Sequence, residues 1–335
     1  MIKKLKSNKI LVPLLIIMCI IIMIKPLNYA KACLNGISAW AFNVLPVLFP
    51  FFVLTRLIVT LNENKQSFMD KFFCKAYNVS TNSFNTYFLS TLSGYPMGAK
   101  LIGTMYENKQ ISKNEAKKML SFCSVSGPMF MVGTVGLIML KSYLAGLIIL
   151  ISNVLASLIN GLLFRGKKDI EPANSIKFKT SNKTSLSDIV YDSLISILMV
   201  GAYIALSFLI ISVLNNLHII EFLSNTICSV LKCNKYKDVV QFVLCGGIEI
   251  TNGILGLSSN SVSLLTKTIL ASGLIGFGGI SVILQSLNFI SKIKIPFKTI
   301  FLQKLTQGLL SFIIAIPLCI IFLLVKMIDK TIFAL

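Results

Sequence analysis

Long apolar stretches alternate with short polar ones along the whole chain. They fall at 10–24, 37–61, 84–103, 116–140, 142–164, 188–214, 238–257, 262–290 and 299–325. About 20 consecutive apolar residues cover the hydrocarbon core of a bilayer as a helix, so these stretches are the expected membrane segments. Four of them are interrupted by glycine, proline or polar residues: 84–103, 116–140, 238–257 and 262–290. Composition agrees with the pattern: of 335 residues 55% are hydrophobic and 13% charged, and the mean hydropathy is +0.82. Those values lie far from an ordinary soluble domain. The expected fold class is an all-α polytopic membrane protein.

The net charge of +20 does not point to nucleic acid, because Lys and Arg are spread through short loops rather than gathered on one basic face. Topology explains them. With the amino terminus inside, segments 1–9, 62–83, 104–118, 165–187 and 291–298 carry twenty Lys and Arg. The opposite side, 25–36, 141, 215–261 and 326–335, carries eight. Basic loops favour the cytoplasm, which places the amino terminus there. That assignment is self-consistent only if 84–103 and 238–257 enter the membrane without crossing it.

The start, MIKKLKSNKILVPLLIIMCIIIMIKPLNYAKA, reads as a short uncleaved anchor helix. The same residues resemble a signal peptide with Ala30-Lys31-Ala32 as the cleavage-like site, although Lys25 and Lys31 are unfavourable there. The eight cysteines are scattered through apolar segments, as small hydrophobes rather than a disulfide framework; Cys228 and Cys233 are the one close pair. A single histidine, His218, gives a metal site little to build from. None of the sequence motifs of the common hydrolases or nucleotide-binding enzymes occurs, so no enzyme activity and no cofactor are expected.

Residues 166–187 form a basic linker that divides the chain into an anchor (1–33), a first repeat (34–165) and a second repeat (188–335). LSGYPMGAKLIG is followed some thirty residues later by SFCSVSGPMFMVGTVGLIML; VLCGGIEITNGILG is followed at similar spacing by ILASGLIGFGGISVILQSL. Ser126-Gly127 aligns with Ser272-Gly273, and Gly94 falls opposite Gly247. An odd number of crossings in the first half gives the second half opposite topology. Such spacings also let membrane helices pack closely, but inverted repeats with interrupted segments at matching positions point to a secondary transporter with its site at the repeat interface.

A helix broken inside a membrane leaves backbone groups that lipid cannot satisfy, so the break must face protein or a cavity. Residues 84–106 are therefore expected to form a re-entrant hairpin with its tip at Ser93, Gly94, Tyr95 and Pro96. Gly94 and Gly98 supply dihedrals closed to other residues, and a half-helix beginning near Met97 aims its N–H groups into the cavity. Lys100, one turn on, is expected to face a cavity, a counter-ion or an anionic ligand; the competing reading has it reach back to the cytoplasmic interface. The second hairpin brings Glu249, Thr251 and Asn252 between glycines. Glu249 is expected to serve coupling or gating, with H+ or Na+ open as the ion, or to pair with Lys100. SVSGPMF (124–130) and ASGLIGFGG (271–279) are expected to supply the second break of each half, with Ser124, Ser126 and Ser272 offering hydroxyls and Gly127 and Gly273 offering approach to backbone. Around these, 66–76 reads as an interfacial amphipathic helix, and Ser112 with Glu115 as a capping box.

The blocks LPVLFPFFVLTRLI (45–58), LSGYPMGAKL (92–101) and SVSGPMFMVGTVGLIML (124–140) resemble the YlbJ-type sporulation integral membrane proteins, over residues 35–330. That family carries a nucleoside-recognition, or gate, domain in each half. The resemblance implies placement in the outer forespore membrane of a sporulating bacterium and transport of dipicolinic acid from mother cell to forespore. The gate domain is also similar to that of concentrative nucleoside transporters, whose Asn-Glu-Phe block is absent here; Glu249 in GIEITNG is a loose match. The implied partners are a small anionic substrate and the lipid bilayer, without nucleic acid; a homo-oligomer or association with other sporulation membrane proteins is left open. A nucleoside carrier and a non-transporting scaffold are the alternative functions.

Overall fold

The computed structural model describes residues 11–61, 68–79, 83–167 and 185–332, and every regular element among them is helical. Most of the linker 166–187 lies outside the described residues. The chain begins with α1 (Leu11–Ile24) and α2 (Pro26–Ala39), which meet at Lys25 because Pro26 cannot continue a preceding helix but suits a first helical position. A π-helical turn, Trp40–Val44, leads into α3 (Leu45–Leu61). The expected short loop at 25–36 is thus helical, and the expected boundary at 33/34 falls inside α2. Tertiary packing explains the extension: α2 lies along a later helix, and at Gly36 an added Cβ would stand 2.8 Å from Ala205 Cα.

From α3 onward one order of elements occurs twice. The first pass is a long helix (α3), a short amphipathic helix α4 (Phe68–Tyr77) and a hairpin of α5 (Ser83–Ser93) and α6 (Met97–Glu107). A broken helix, α7 (Lys113–Cys123) with the π-helical α8 (Met129–Met139), and long α9 (Tyr143–Leu163) complete it. The second pass is α10 (Leu186–Asn216), α11 (Ile219–Leu231), a hairpin of α12 (Lys237–Ile248) and α13 (Ile250–Ser259), broken α14 (Leu264–Phe277) and α15 (Gly279–Phe289), and long α16 (Phe297–Ile332).

Local chemistry starts these helices where the sequence implies. Ser112 accepts from Glu115 N, Ser142 from Ala145 N, and Ser263 from Thr266 N. Ser185 and Asp188 form a full capping box. Each cap satisfies a backbone donor that a helix start leaves without an internal partner.

Among the described residues, five helical stretches are long and apolar enough to cross a membrane: Pro26–Ile58, Tyr143–Leu163, Leu186–Asn216, Leu264–Phe289 and Phe297–Leu323. The expected segments 84–103, 116–140 and 238–257 are instead divided into helices of 10 to 12 residues. Helices α9, α14 and α16 pack side by side, while α2 and α3 lie along α10, where Trp40 Nε1 donates to Ile197 O at 3.1 Å. Helix α14 belongs both to the first group and to the second broken helix, whose other half, α15, reaches α10 and α12. All eight cysteines, including Cys228 and Cys233, are free thiols.

Candidate substrate site at the hairpin tips

The first tip is built around Gly94. Its φ of +79° belongs to the left-handed region, and an added Cβ would stand 2.5 Å from Gly127 N, so only glycine fits both the turn and the contact. Gly94 N donates to Ser90 O at 2.8 Å, closing α5, and Met97 N donates to Gly94 O at 3.0 Å, opening α6. The contact with Gly127 docks this tip onto the non-helical stretch 124–127 that separates α7 from α8.

The second tip is a single residue. Glu249 has extended backbone between α12 and α13, and its carboxylate accepts from Asn252 N at 2.8 Å, capping α13. It docks onto the break between α14 and α15, where Gly278 and Gly279 take φ of +84° and +71°. A Cβ on Gly279 would stand 3.0 Å from Ile248 O. In each half, then, a hairpin tip rests on the break of the neighbouring helix.

A pocket lies between the tips, with about 410 Å3 of empty space including its mouth. Gly94 and Tyr95 line it from the first tip, Ser126 and Gly127 from the first break, and Glu249 and Thr251 from the second tip. Val282 and Gln285 contribute from α15; Val44, Leu48, Phe130, Val200 and Ile204 supply an apolar wall. The half-helices α6, α8, α13 and α15 all begin around this space. Helix starts carry unsatisfied N–H groups and the positive end of the macrodipole, so four of them around one pocket favour negative charge inside it.

Other expected site residues stand apart from the pocket wall. Ser93 is buried in a hydrogen bond with Thr55, Pro96 caps α6, and a Cβ on Gly98 would strike Cys123 O. Asn252 gives its backbone N–H to Glu249. Lys100 points toward α10, where its Nζ donates to Ser196 Oγ at 2.5 Å. Ser196 in turn donates to Asp192 O, and Asp192 pairs with Arg56 at 2.8 Å. Lys100 therefore belongs to a polar cluster at the edge of α10, and the expected pairing with Glu249 does not occur.

Ser272 and Gly273 lie inside α14, and the second break comes at Gly278–Gly279, the end of the expected stretch 271–279. Small residues in membrane proteins serve helix packing as well as breaks, and these two pack: Ser272 shares a hydrogen bond of 2.6 Å with Ser152 on α9 and donates to Ser311 O on α16. Gly247 is likewise inside α12, so the structural counterpart of Gly94 is the tip residue Glu249.

Lys304 on α16 was absent from the expectations for this region. It is 2% exposed, and its Nζ donates to Ser124 O at 2.8 Å within the first break. Its signal in sequence is the run Gln303, Lys304, Gln307 and Ser311, whose spacing puts a polar stripe on one face of an otherwise apolar helix.

No protein-family model and no solved structure matches the chain. It is 29% identical over 303 residues to the sporulation integral membrane protein YlbJ of Bacillus subtilis (strain 168). The match covers 83% of this chain and 74% of that protein. By that likeness the chain is similar to a YlbJ-type sporulation integral membrane protein, and its long apolar helices are those of a multi-pass membrane protein.

Proposed function

We propose that the chain is a secondary carrier that moves an aromatic dicarboxylate, dipicolinate, across the outer forespore membrane toward the forespore. The observation that supports this reading is the meeting of four half-helix starts at one pocket. Broken membrane helices whose starts face a central site are the usual device for holding anionic groups at membrane depth. Glu249 illustrates the preference, since its own carboxylate occupies the start of α13 at the pocket wall.

In this reading the two halves are inverted repeats, and each tip-and-break unit is a gate. Rocking one half against the other exposes the pocket to either side in turn. Glu249, 3% exposed, responds to what enters: an ionisable group at membrane depth changes its charge when a ligand or ion changes its surroundings.

A second reading has an observation of its own. The pocket wall holds no Lys or Arg among the described residues, while Ser126, Thr251 and Gln285 offer neutral donors and acceptors. That wall suits an uncharged polar aromatic solute such as a nucleoside. Liposomes with the purified chain, loaded with labelled dipicolinate or labelled nucleoside, separate the two. Saturable dipicolinate uptake that nucleosides do not compete with is the expected result. Nucleoside uptake without dipicolinate uptake overturns the first reading, and folded protein that moves neither returns the chain to a scaffold role.

A further inference from the structure

Lys304 is a buried lysine with neutral company. Its Nζ donates to Ser124 O at 2.8 Å and to Gln307 Oε1 at 3.1 Å, and among the described residues no carboxylate pairs with it. Its side chain runs between both broken helices: Ser124 lies in the first break, and a Cβ on Gly278 in the second would stand 3.1 Å from Lys304 Cε. The centroid of the Tyr95 ring is 5.5 Å from Nζ. Tyr95 is also part of the pocket wall, so an aromatic ring stands between the Lys304 amine and the pocket.

An ammonium at membrane depth is expensive, and its hydrogen bonds to two neutral oxygens do not demand a charge. A polar neutral side chain could make the same bonds. What a charge adds here is an attraction for an anion in the pocket, at the position where the wall itself lacks a cation.

We propose that Lys304 is the cation of the substrate site, screened from the pocket by the Tyr95 ring in this conformation. When the ring turns aside, one carboxylate of an aromatic dicarboxylate pairs with Nζ while the other meets the half-helix starts. Pairing draws Nζ from Ser124 O and so frees the carbonyl that it holds in the first break. Binding and movement of the first gate then share one contact. The inference rests on reading the pocket as an anion carrier's site.

The test uses the full chain in detergent, with dipicolinate binding measured by calorimetry and folding by thermal melting. Lys304→Met removes the charge at similar volume. The expected result is an affinity at least about thirty-fold lower, roughly 2 kcal/mol at 1.4 kcal/mol per tenfold, with a melting temperature unchanged or raised, because burying an apolar group in place of a charge is neutral or stabilising. Lys304→Arg, which keeps the charge, retains more of the affinity than Lys304→Met. Binding by Lys304→Met within about threefold of the parent overturns the inference and leaves the carrier reading intact. A Lys304→Met chain that melts early or fails to fold makes Lys304 a lock for Ser124, which also overturns it. A folded parent chain that binds no dipicolinate overturns the carrier reading for this substrate and the inference with it.

Discussion

At the scale of single residues, Gly94 and Gly247 separate two uses of glycine. Gly94 combines left-handed backbone with a contact to Gly127, and a Cβ in that backbone alone costs roughly 1–2 kcal/mol before any clash is counted. Gly94→Ala is expected to abolish monodisperse folded protein on size-exclusion chromatography. At Gly247 an added Cβ meets nothing within 4 Å, and the backbone is helical. Gly247→Ala should therefore stabilise by roughly 0.5–1 kcal/mol, read as a higher melting temperature. The two lysines divide in the same way. Lys100 was legible as a charge at membrane depth, but α6 turns it toward Ser196, away from the pocket. Lys100→Gln is expected to leave dipicolinate affinity within about threefold, on the scale where tenfold is 1.4 kcal/mol; a much larger loss would return Lys100 to the site.

At the scale of elements, polar side chains tie the long helices together. Asn160 on α9 donates to Ser121 O on α7 and Gln303 O on α16, and accepts from Thr306 Oγ1 on α16. Interhelical hydrogen bonds in membranes average about 0.6 kcal/mol each, so Asn160→Ala should cost roughly 2 kcal/mol in unfolding measurements. Ser272 makes bonds of the same kind to α9 and α16. Ser272→Ala is expected to lower the melting temperature and leave substrate affinity unchanged, whereas Ser126→Ala, at the pocket wall, should weaken binding with little effect on melting. Both hairpin positions and the first break were legible, because glycine, proline and a lone acid between apolar runs set local dihedrals and caps. The second break falls within the expected stretch 271–279, at its Gly278–Gly279 end, while Ser272-Gly273 matches Ser126-Gly127 in type but serves packing.

At the scale of the whole molecule, the repeated order of elements carries a topological expectation. The broken segments 83–107 and 237–259 are too divided to cross alone, which leaves the two hairpins entering from opposite faces if the basic loops are cytoplasmic. Single cysteines placed at Lys113 and Lys235 in a cysteine-free chain should react with impermeant reagent from opposite sides of sealed vesicles. Labelling of both from one side would exclude the inverted arrangement.

The sequence by itself determined the solvent, the helical class, the positions where helices start and break, and the pairing of a broken plan in each half. Those properties follow from local rules: apolar length against bilayer thickness, backbone freedom at glycine, missing donors at proline, and caps at helix starts. Only the tertiary structure decided which polar groups share the pocket. Lys100 follows the first hairpin tip and Lys304 stands in a polar stripe of α16, but neither local setting says which lysine approaches the pocket. The difference is made by where each side chain ends: Lys100 reaches Ser196 on α10, away from the pocket, whereas α16 runs past the two breaks and sets Lys304 behind Tyr95.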